Sequence, residues 1–407
     1  MNVIKKIYSF FFIVLVLVTS PFLIRYLLAN QKITILNSIY FNFPGIINKN
    51  KKCPTYDALL NQTLDDSFSV SIINNKGEII SSYNEDVPRL PASNQKLFSS
   101  AYVLSKFKLN SNLKTSLFKN KNDYYLHGQG DPDLNYEHII ELISNVKENK
   151  IINFNIVEID SKLYWPNGWT NTDKLYEYGS PITSLAIESN HNKYDDIYAV
   201  KNFIKNYLKN KFPNSKIYVN FFDSEKTFYL KYFKEINKVY SSPILSLLTL
   251  TNSESHNFTA ESLFKNASNT WNDNNYIKLK RWLENKGLPA TNAYFADASG
   301  LSRKNKITTK LVVLFLDKMR YFNDFKAYQS TLSITGVRGT LAKRFVNSEL
   351  SGKFFGKTGT LSNVFALSGF LYKNEKPIII SIIQNSNKID KGKAFKLLSD
   401  LYYLKSC

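Results

Sequence analysis

Ser93 stands three residues before Lys96, in Ser93-Asn94-Gln95-Lys96. On a helix, residues three apart share a face, so the lysine amine can reach the serine hydroxyl. That pairing suits acyl transfer, which needs a nucleophile, a base, a proton relay and a clamp for the oxyanion. A free lysine, with a pKa of about 10.4, is protonated and cannot act as a base. Burial and nearby cations must lower that value. A helix N-terminus behind Ser93 also favours developing negative charge. The spacing alone is weak, because Ser-x-x-Lys recurs at Ser105, Ser111, Ser116 and Ser144 in a lysine-rich chain.

Two further tripeptides supply the missing roles. In Ser255-His256-Asn257, the serine can pass a proton and the asparagine amide can hold a substrate amide or carbonyl. In Lys357-Thr358-Gly359, Lys357 brings positive charge and Thr358 a hydroxyl for a terminal carboxylate. Gly359 offers bare backbone along which a substrate can lie. The backbone N–H of Thr360, with that of Ser93, can form an oxyanion hole.

The elements around these residues must hold them. Pro91 precedes Ser93, and Leu97, Phe98, Ala101, Tyr102 and Leu104 recur at helical spacing, which places Ser93 in the first turn of a helix. Phe68, Val70, Ile72 and Ile79 flank Asn74-Asn75-Lys76-Gly77, a hairpin signal. Phe354–Thr360, Val364–Tyr372 and Ile378–Gln384 read as three sequential strands, and Lys391–Tyr403 as a helix. The expectation is an α+β fold, an antiparallel sheet flanked by helices, over residues 53–115 and 236–407. Residues 116–235 read as an inserted, mostly β subdomain, with strand-like runs at Tyr124–Leu126, Ile151–Ile159 and Ile217–Phe222 and one helix at Asp196–Leu208.

Composition bounds the function. The chain has 407 residues, is 43% hydrophobic and has 12 Pro and 15 Gly, which excludes disordered and collagen-like classes. Two cysteines and four histidines without helical metal spacing exclude a Cys-rich or His-based metal centre. The formal net charge of +20 comes mainly from scattered lysines, with few arginines to read bases or phosphates. A nucleic-acid partner is therefore not expected; a solvated basic surface, able to hold to an anionic wall or membrane, is. Lys5 and Lys6 precede an apolar run from Ile7 to Ile24. Residues 1–30 read as a signal peptide or an uncleaved membrane anchor, and 31–52 as a tether. Export makes a disulfide permissible. Cys53 and Cys407 either pair or stand as unrelated thiols.

The three motifs, in this order, resemble those of active-site-serine penicillin-recognising enzymes. The chain is similar to the D-Ala-D-Ala carboxypeptidase/endopeptidase family, the class C low-molecular-mass penicillin-binding proteins of the penicillin-binding protein 4 type. Three other segments carry the likeness: Gly130-Asp131-Pro132-Asp133-Leu134, Asp297-Ala298-Ser299-Gly300-Leu301-Ser302-Arg303, and Gly336 to Leu341. The resemblance implies a serine β-lactamase/transpeptidase-like domain. It implies Ser93 as nucleophile, Lys96 as base, Ser255 as relay and Asn257 as amide clamp. Lys357 and Thr358 would anchor the carboxylate, and Arg303 would lie near the pocket for the peptide's diamino acid. The implied substrate is a peptidoglycan stem peptide, with β-lactams as covalent inhibitors and no metal or organic cofactor. D,D-endopeptidase action and a catalytically idle scaffold are the alternatives. His256, Ala298 and Arg338 depart from the family pattern, and the short interval from Ser93 to Ser255 implies a reduced insertion.

Overall fold

The computed structural model describes residues 52–191, 197–223, 229–271, 275–373, 375 and 377–405. The apolar run and the tether expected over residues 1–51 lie outside these, as does Cys407. Cys53 is buried and disulfide-bonded. Among the described residues, no helix is long and apolar enough to cross a membrane.

After helix α1 (Pro54–Thr63), strands β1 (Phe68–Ile73) and β2 (Ile79–Tyr83) form the hairpin expected around Gly77. Gly77 takes φ +84, which a glycine adopts without strain. Helix α2 (Gln95–Leu104) follows a 3-10 turn, Ala92–Asn94. The C-terminal strands β8 (Ser333–Ile334), β9 (Phe354–Leu361), β10 (Val364–Tyr372) and β11 (Pro377–Asn385) complete a six-stranded sheet in the order β2-β1-β11-β10-β9-β8. Every pairing in it is antiparallel.

Both faces of this sheet are covered, so its central strands are buried along almost their whole length. Phe365, Leu367 and Leu371 of β10 pack with α1 and the closing helix Lys391–Tyr403. Ala366 and Phe370 point the other way, into a core with α2 and the helix Thr309–Met319. The alternation in β1 is not a core face and a wet face: Ser69 and Ser71 are also fully buried, and Ser71 Oγ lies 2.8 Å from Thr309 Oγ1.

A second, five-stranded sheet has the order β6-β5-β4-β3-β7. Its strands are β3 (Asn112–Asn120), β4 (Asp123–His127), β5 (Ile151–Glu158), β6 (Lys216–Asp223) and β7 (Lys234–Pro243). It thus overruns the 116–235 segment at both ends. The β4/β5 and β5/β6 pairs are parallel, and parallel neighbours need crossovers. Helix α3 (Tyr136–Ile143) lies in the first and α4 (Ile197–Lys211) in the second. The strand-and-turn reading of this region passes over α3. That helix opens with a capping box in which His138 returns the bond to Asn135, where Glu or Gln is usual.

Between Ile187 and His191 the chain takes a left-handed turn. Glu188, Ser189 and Asn190 have φ of 46°, 62° and 55°. For non-glycine residues this costs roughly 1–2 kcal/mol each. Helices α5 (Ile244–Ser253) and α6 (Asn257–Ser268) then bracket the Ser255-His256 junction.

Candidate active site

Ser93 sits on the 3-10 turn just before α2, not inside the helix, and is partly exposed. The turn is held from three sides. Asn94 Nδ2 donates to Ser368 Oγ at 2.6 Å, and Ser368 in turn bonds Ser381 on β11 at 2.8 Å, which ties the turn to the centre of the first sheet. Gln95 Nε2 donates to the Asp297 carbonyl at 3.1 Å. On the third side, a Cβ at Gly359 would lie 2.9 Å from each of Ala92 Cβ, Pro91 O and Ser93 N. Gly359 is thus bare so that β9 can lie against the Ser93 turn, a different reason from the substrate approach read in the sequence.

Lys96 is fully buried, and its amine reaches three acceptors. It donates to Ser93 Oγ at 3.0 Å, Asn257 Oδ1 at 2.6 Å and the Ser299 carbonyl at 2.7 Å. Burial lowers its pKa to about 7, against the opposing pull of Asp297 and Glu261. Lys96 is therefore poised to hold or release a proton near neutrality.

Ser255 takes φ 66° in the junction between α5 and α6. Lys357 Nζ donates to Ser255 Oγ and to the Thr358 carbonyl, each at 2.9 Å. Lys357 is fully buried on β9. Burial first, and the Lys96 charge second, push its pKa well below the ordinary lysine value. Two amines thus share one cleft, and the Lys96 charge weakens the hold of Lys357 on its proton. Thr358 Oγ1 meets Thr340 Oγ1 at 2.7 Å, so Thr340 joins the site from the Gly336–Leu341 turn. Thr360 is exposed. β8 pairs with β9 only at Phe355 and Gly356, so among the described residues no strand covers the outer edge from Lys357 to Leu361.

The segment Asp297–Arg303 forms the far wall. Asp297 is fully buried and accepts from Trp169 Nε1, Asn305 Nδ2 and the N–H groups of Gly300 and Ser302. Glu261, one helical turn after Asn257, accepts from the N–H groups of Ala298 and Ser299 and from Tyr276. Burial and then Asp297 raise its pKa to about 7. Sequence reasoning passed over Glu261, although its i+4 spacing from Asn257 was the available signal.

Ser93 and Asn257 are thus joined through the Lys96 amine, and Ser255 and Thr358 through the Lys357 amine; Ser255 and Asn257, two residues apart in the chain, bring the two sets together. Arg303 is not linked to them. Its guanidinium is paired with Asp173 at 2.7 and 3.1 Å and also donates to the Leu301 carbonyl. Asp173 is buried, so its removal strands a charge. We expect Asp173→Ala to lower stability by roughly 1–3 kcal/mol, read as a fall in denaturation midpoint. An unchanged midpoint would show that water replaces the pair at no cost.

A cavity of about 1360 Å³ opens beside the second sheet, between Lys114, His127, Glu158, Lys265 and Trp271. None of the residues of the three motifs lines it.

Both the sequence and the fold have recognisable relatives. The D-Ala-D-Ala carboxypeptidase 3 (S13) family matches residues 57–201 and 231–399. The D-alanyl-D-alanine carboxypeptidase DacB of Haemophilus influenzae is 29% identical over 165 residues, 37% of this chain and 33% of that one. The D-alanyl-D-alanine carboxypeptidase of Actinomadura sp. is 31% identical over 144 residues, 33% of this chain and 27% of that one. The matched segments thus span about a third or less of these curated relatives. In structure, penicillin binding protein 4 (dacB) from H. influenzae has a TM-score of 0.68 at 20% identity, over 85% of this chain and 98% of that one. A predatory peptidoglycan endopeptidase from Bdellovibrio bacteriovorus has a TM-score of 0.55 at 15% identity, over 82% and 90%. These structural likenesses establish the α+β penicillin-binding fold. The family match covers more than half of the sequence, and so the chain belongs to the D-Ala-D-Ala carboxypeptidase 3 (S13) family.

Proposed function

We propose that the chain is a serine-type D-Ala-D-Ala carboxypeptidase acting on peptidoglycan stem peptides through an acyl-enzyme at Ser93. The observation that carries the reading is the buried Lys96 amine, 3.0 Å from Ser93 Oγ with its pKa lowered to about 7. Residues 53–111 and 244–407 form the acyl-transfer domain, and 112–243, which carry the whole second sheet, the insertion over its cleft.

Neutral Lys96 takes the proton of Ser93, and Oγ attacks the carbonyl carbon of the penultimate D-Ala. The carbonyl oxygen becomes an oxyanion, held by the N–H groups of Ser93 and Thr360. Each such donor is typically worth about 3 kcal/mol. The peptide C–N bond breaks, and a proton passed through Ser255 leaves with the D-Ala amine. Water then splits the acyl ester, returning the acid and the serine. Asn257 positions the substrate amide. The terminal carboxylate meets Lys357 and Thr358, and its negative charge favours the protonated form that an empty cleft disfavours on Lys357. The free edge of β9 lets the substrate add as an extra strand. Arg303 acts through its pair with Asp173, as part of the far wall for the diamino acid side chain.

A β-lactam follows the same path and deacylates slowly. The test is intact-protein mass spectrometry with a penicillin, beside Ser93→Ala. We expect a stoichiometric adduct on the native chain and none on the variant, with D-Ala released from a pentapeptide. A native chain with no adduct would overturn the reading in favour of an idle scaffold. Cleavage of a cross-linked muropeptide without D-Ala release would move it to the endopeptidase. Such substrates place the enzyme in the cell envelope, which fits the apolar run Ile7–Ile24 as an export segment or anchor.

A further inference from the structure

The insertion touches the second motif twice. The Tyr178 carbonyl accepts from Asn257 Nδ2 at 2.8 Å. His191 Nε2 lies 3.0 Å from His256 Nε2. The direction of the second bond follows from its surroundings. His256 caps α6 by accepting the Thr259 N–H at Nδ1, where Thr259 Oγ1 also lies at 2.7 Å. Its Nδ1 therefore carries the lone pair and its Nε2 the hydrogen. His256 donates, and His191 accepts.

His256 has reason to stay in that state. Burial, then His191, then Lys96 lower its pKa to about 4. It lies between Ser255, which accepts from Lys357, and Asn257, which accepts from Lys96. Ser255 itself takes φ 66°. A strained residue flanking two site contacts needs an external hold to keep its geometry.

The delivery of His191 is itself unusual. It directly follows the left-handed run Glu188-Ser189-Asn190. Four bonds hold that run: Glu188 N–H to the Leu134 carbonyl, Ser189 Oγ to the Pro132 carbonyl, and Asn190 Nδ2 to the Pro181 carbonyl and to Thr183 Oγ1. Two of the four acceptors belong to the Gly130–Leu134 loop, which the mechanism does not use. Asn190 Oδ1 is buried with no partner among the described residues. Three left-handed residues and an unsatisfied oxygen are retained where a relaxed turn would aim the chain elsewhere.

We propose that His191 is a positioning residue: the left-handed turn Glu188–Asn190 presses its imidazole against His256, and this fixes Ser255 and Asn257 for acylation. The inference rests on the serine-acylation reading above. The insertion therefore completes the site as well as covering it, and does so through a histidine pair specific to a His-centred second motif.

Two measurements on the full chain test this. Side-chain ¹⁵N spectra should show His256 in the Nε2–H form, coupled through the hydrogen bond to His191. A His256 in the Nδ1–H form would overturn the clamp. Kinetics with a chromogenic cephalosporin should show His191→Ala acylating about tenfold more slowly. The loss should lie in the acylation step and not in initial binding, with a thermal midpoint close to native. His191→Gln, which restores an acceptor, should recover most of the rate. A native chain that is acylated beside an equally fast His191→Ala overturns the clamp alone. So does a loss that tracks a lowered midpoint and that Gln does not rescue. A native chain that takes no β-lactam overturns the acylation reading, and the clamp with it.

Discussion

Lys96→Met should slow β-lactam acylation by roughly 10³-fold or more, since a positioned base contributes about 10²–10⁴-fold and no other amine bonds Ser93 Oγ among the described residues. The native rate should rise with pH through about 7 and then level, because only the neutral amine accepts the serine proton. The variant should lose that dependence. Stability moves with the same titration. The folded value lies below the ordinary 10.5, so the unfolded chain holds the proton more tightly between about 7 and 10.5. The resulting penalty on folding is full below 7 and is relieved as pH rises towards 10.5. Removing the buried amine lifts the penalty, so Lys96→Met should stay folded at neutral pH while inactive. Acylation measured with a fluorescent penicillin from pH 5 to 9, beside a denaturation curve, checks both halves. A flat native profile would show that Lys96 is not the base.

Gly300→Ala should disable the site from the opposite wall. A Cβ at Gly300 would sit 1.9 Å from the Ala92 carbonyl oxygen and 2.9 Å from Gln95 Cβ, at a φ of +86°. The obstacle is backbone, so no side-chain rotation relieves it. The turn carrying Ser93 or the loop bearing Ser299 must move. Ser299 supplies one of the three acceptors on Lys96, so either movement reaches the base as well as the nucleophile. The expected cost is roughly 3 kcal/mol or more, together with acylation lowered about 100-fold in the fraction that stays folded. Gly287→Ala is the control: its φ is +70° but its Cβ meets nothing within 4 Å. It should cost only about 1 kcal/mol and leave acylation unchanged. A Gly300→Ala chain with native stability and native rate would mean that the close packing against Ala92 is dispensable.

Much of this site was legible because its chemistry is written in side-chain types at short spacings. The strands Val364–Tyr372 and Lys391–Tyr403's helix were legible for a related reason: apolar runs and turn residues bound them cleanly. What escaped reading is carried by the backbone. The third acceptor on Lys96 is a carbonyl, which any residue at position 299 would supply. The left-handed turn before His191 runs through Glu and Ser, neither of which favours that conformation, so tertiary bonds and not local preference impose it. The Asp173 partner of Arg303 escaped reading because it lies 130 positions away. Gly359 was read for substrate approach, whereas its nearest neighbours belong to the Ser93 turn.

The strand order of the first sheet also dictates when the enzyme can become active. β1 pairs with β11, Phe68 opposite Gln384, so this partner is made long after it. The Ser93 turn rests on β9 and β10 through Gly359 and Ser368, which also come late. The second sheet draws every strand from Asn112–Pro243 and can close well before them. Assembly is thus ordered by contact distance along the chain, and long-range pairings form slowly. A growing chain carries Ser93 before its supports exist, beside a β1–β2 hairpin whose β11 edge is open and needs shielding from its neighbours. The Ser93 turn finds its supports only once β9 and β10 have arrived.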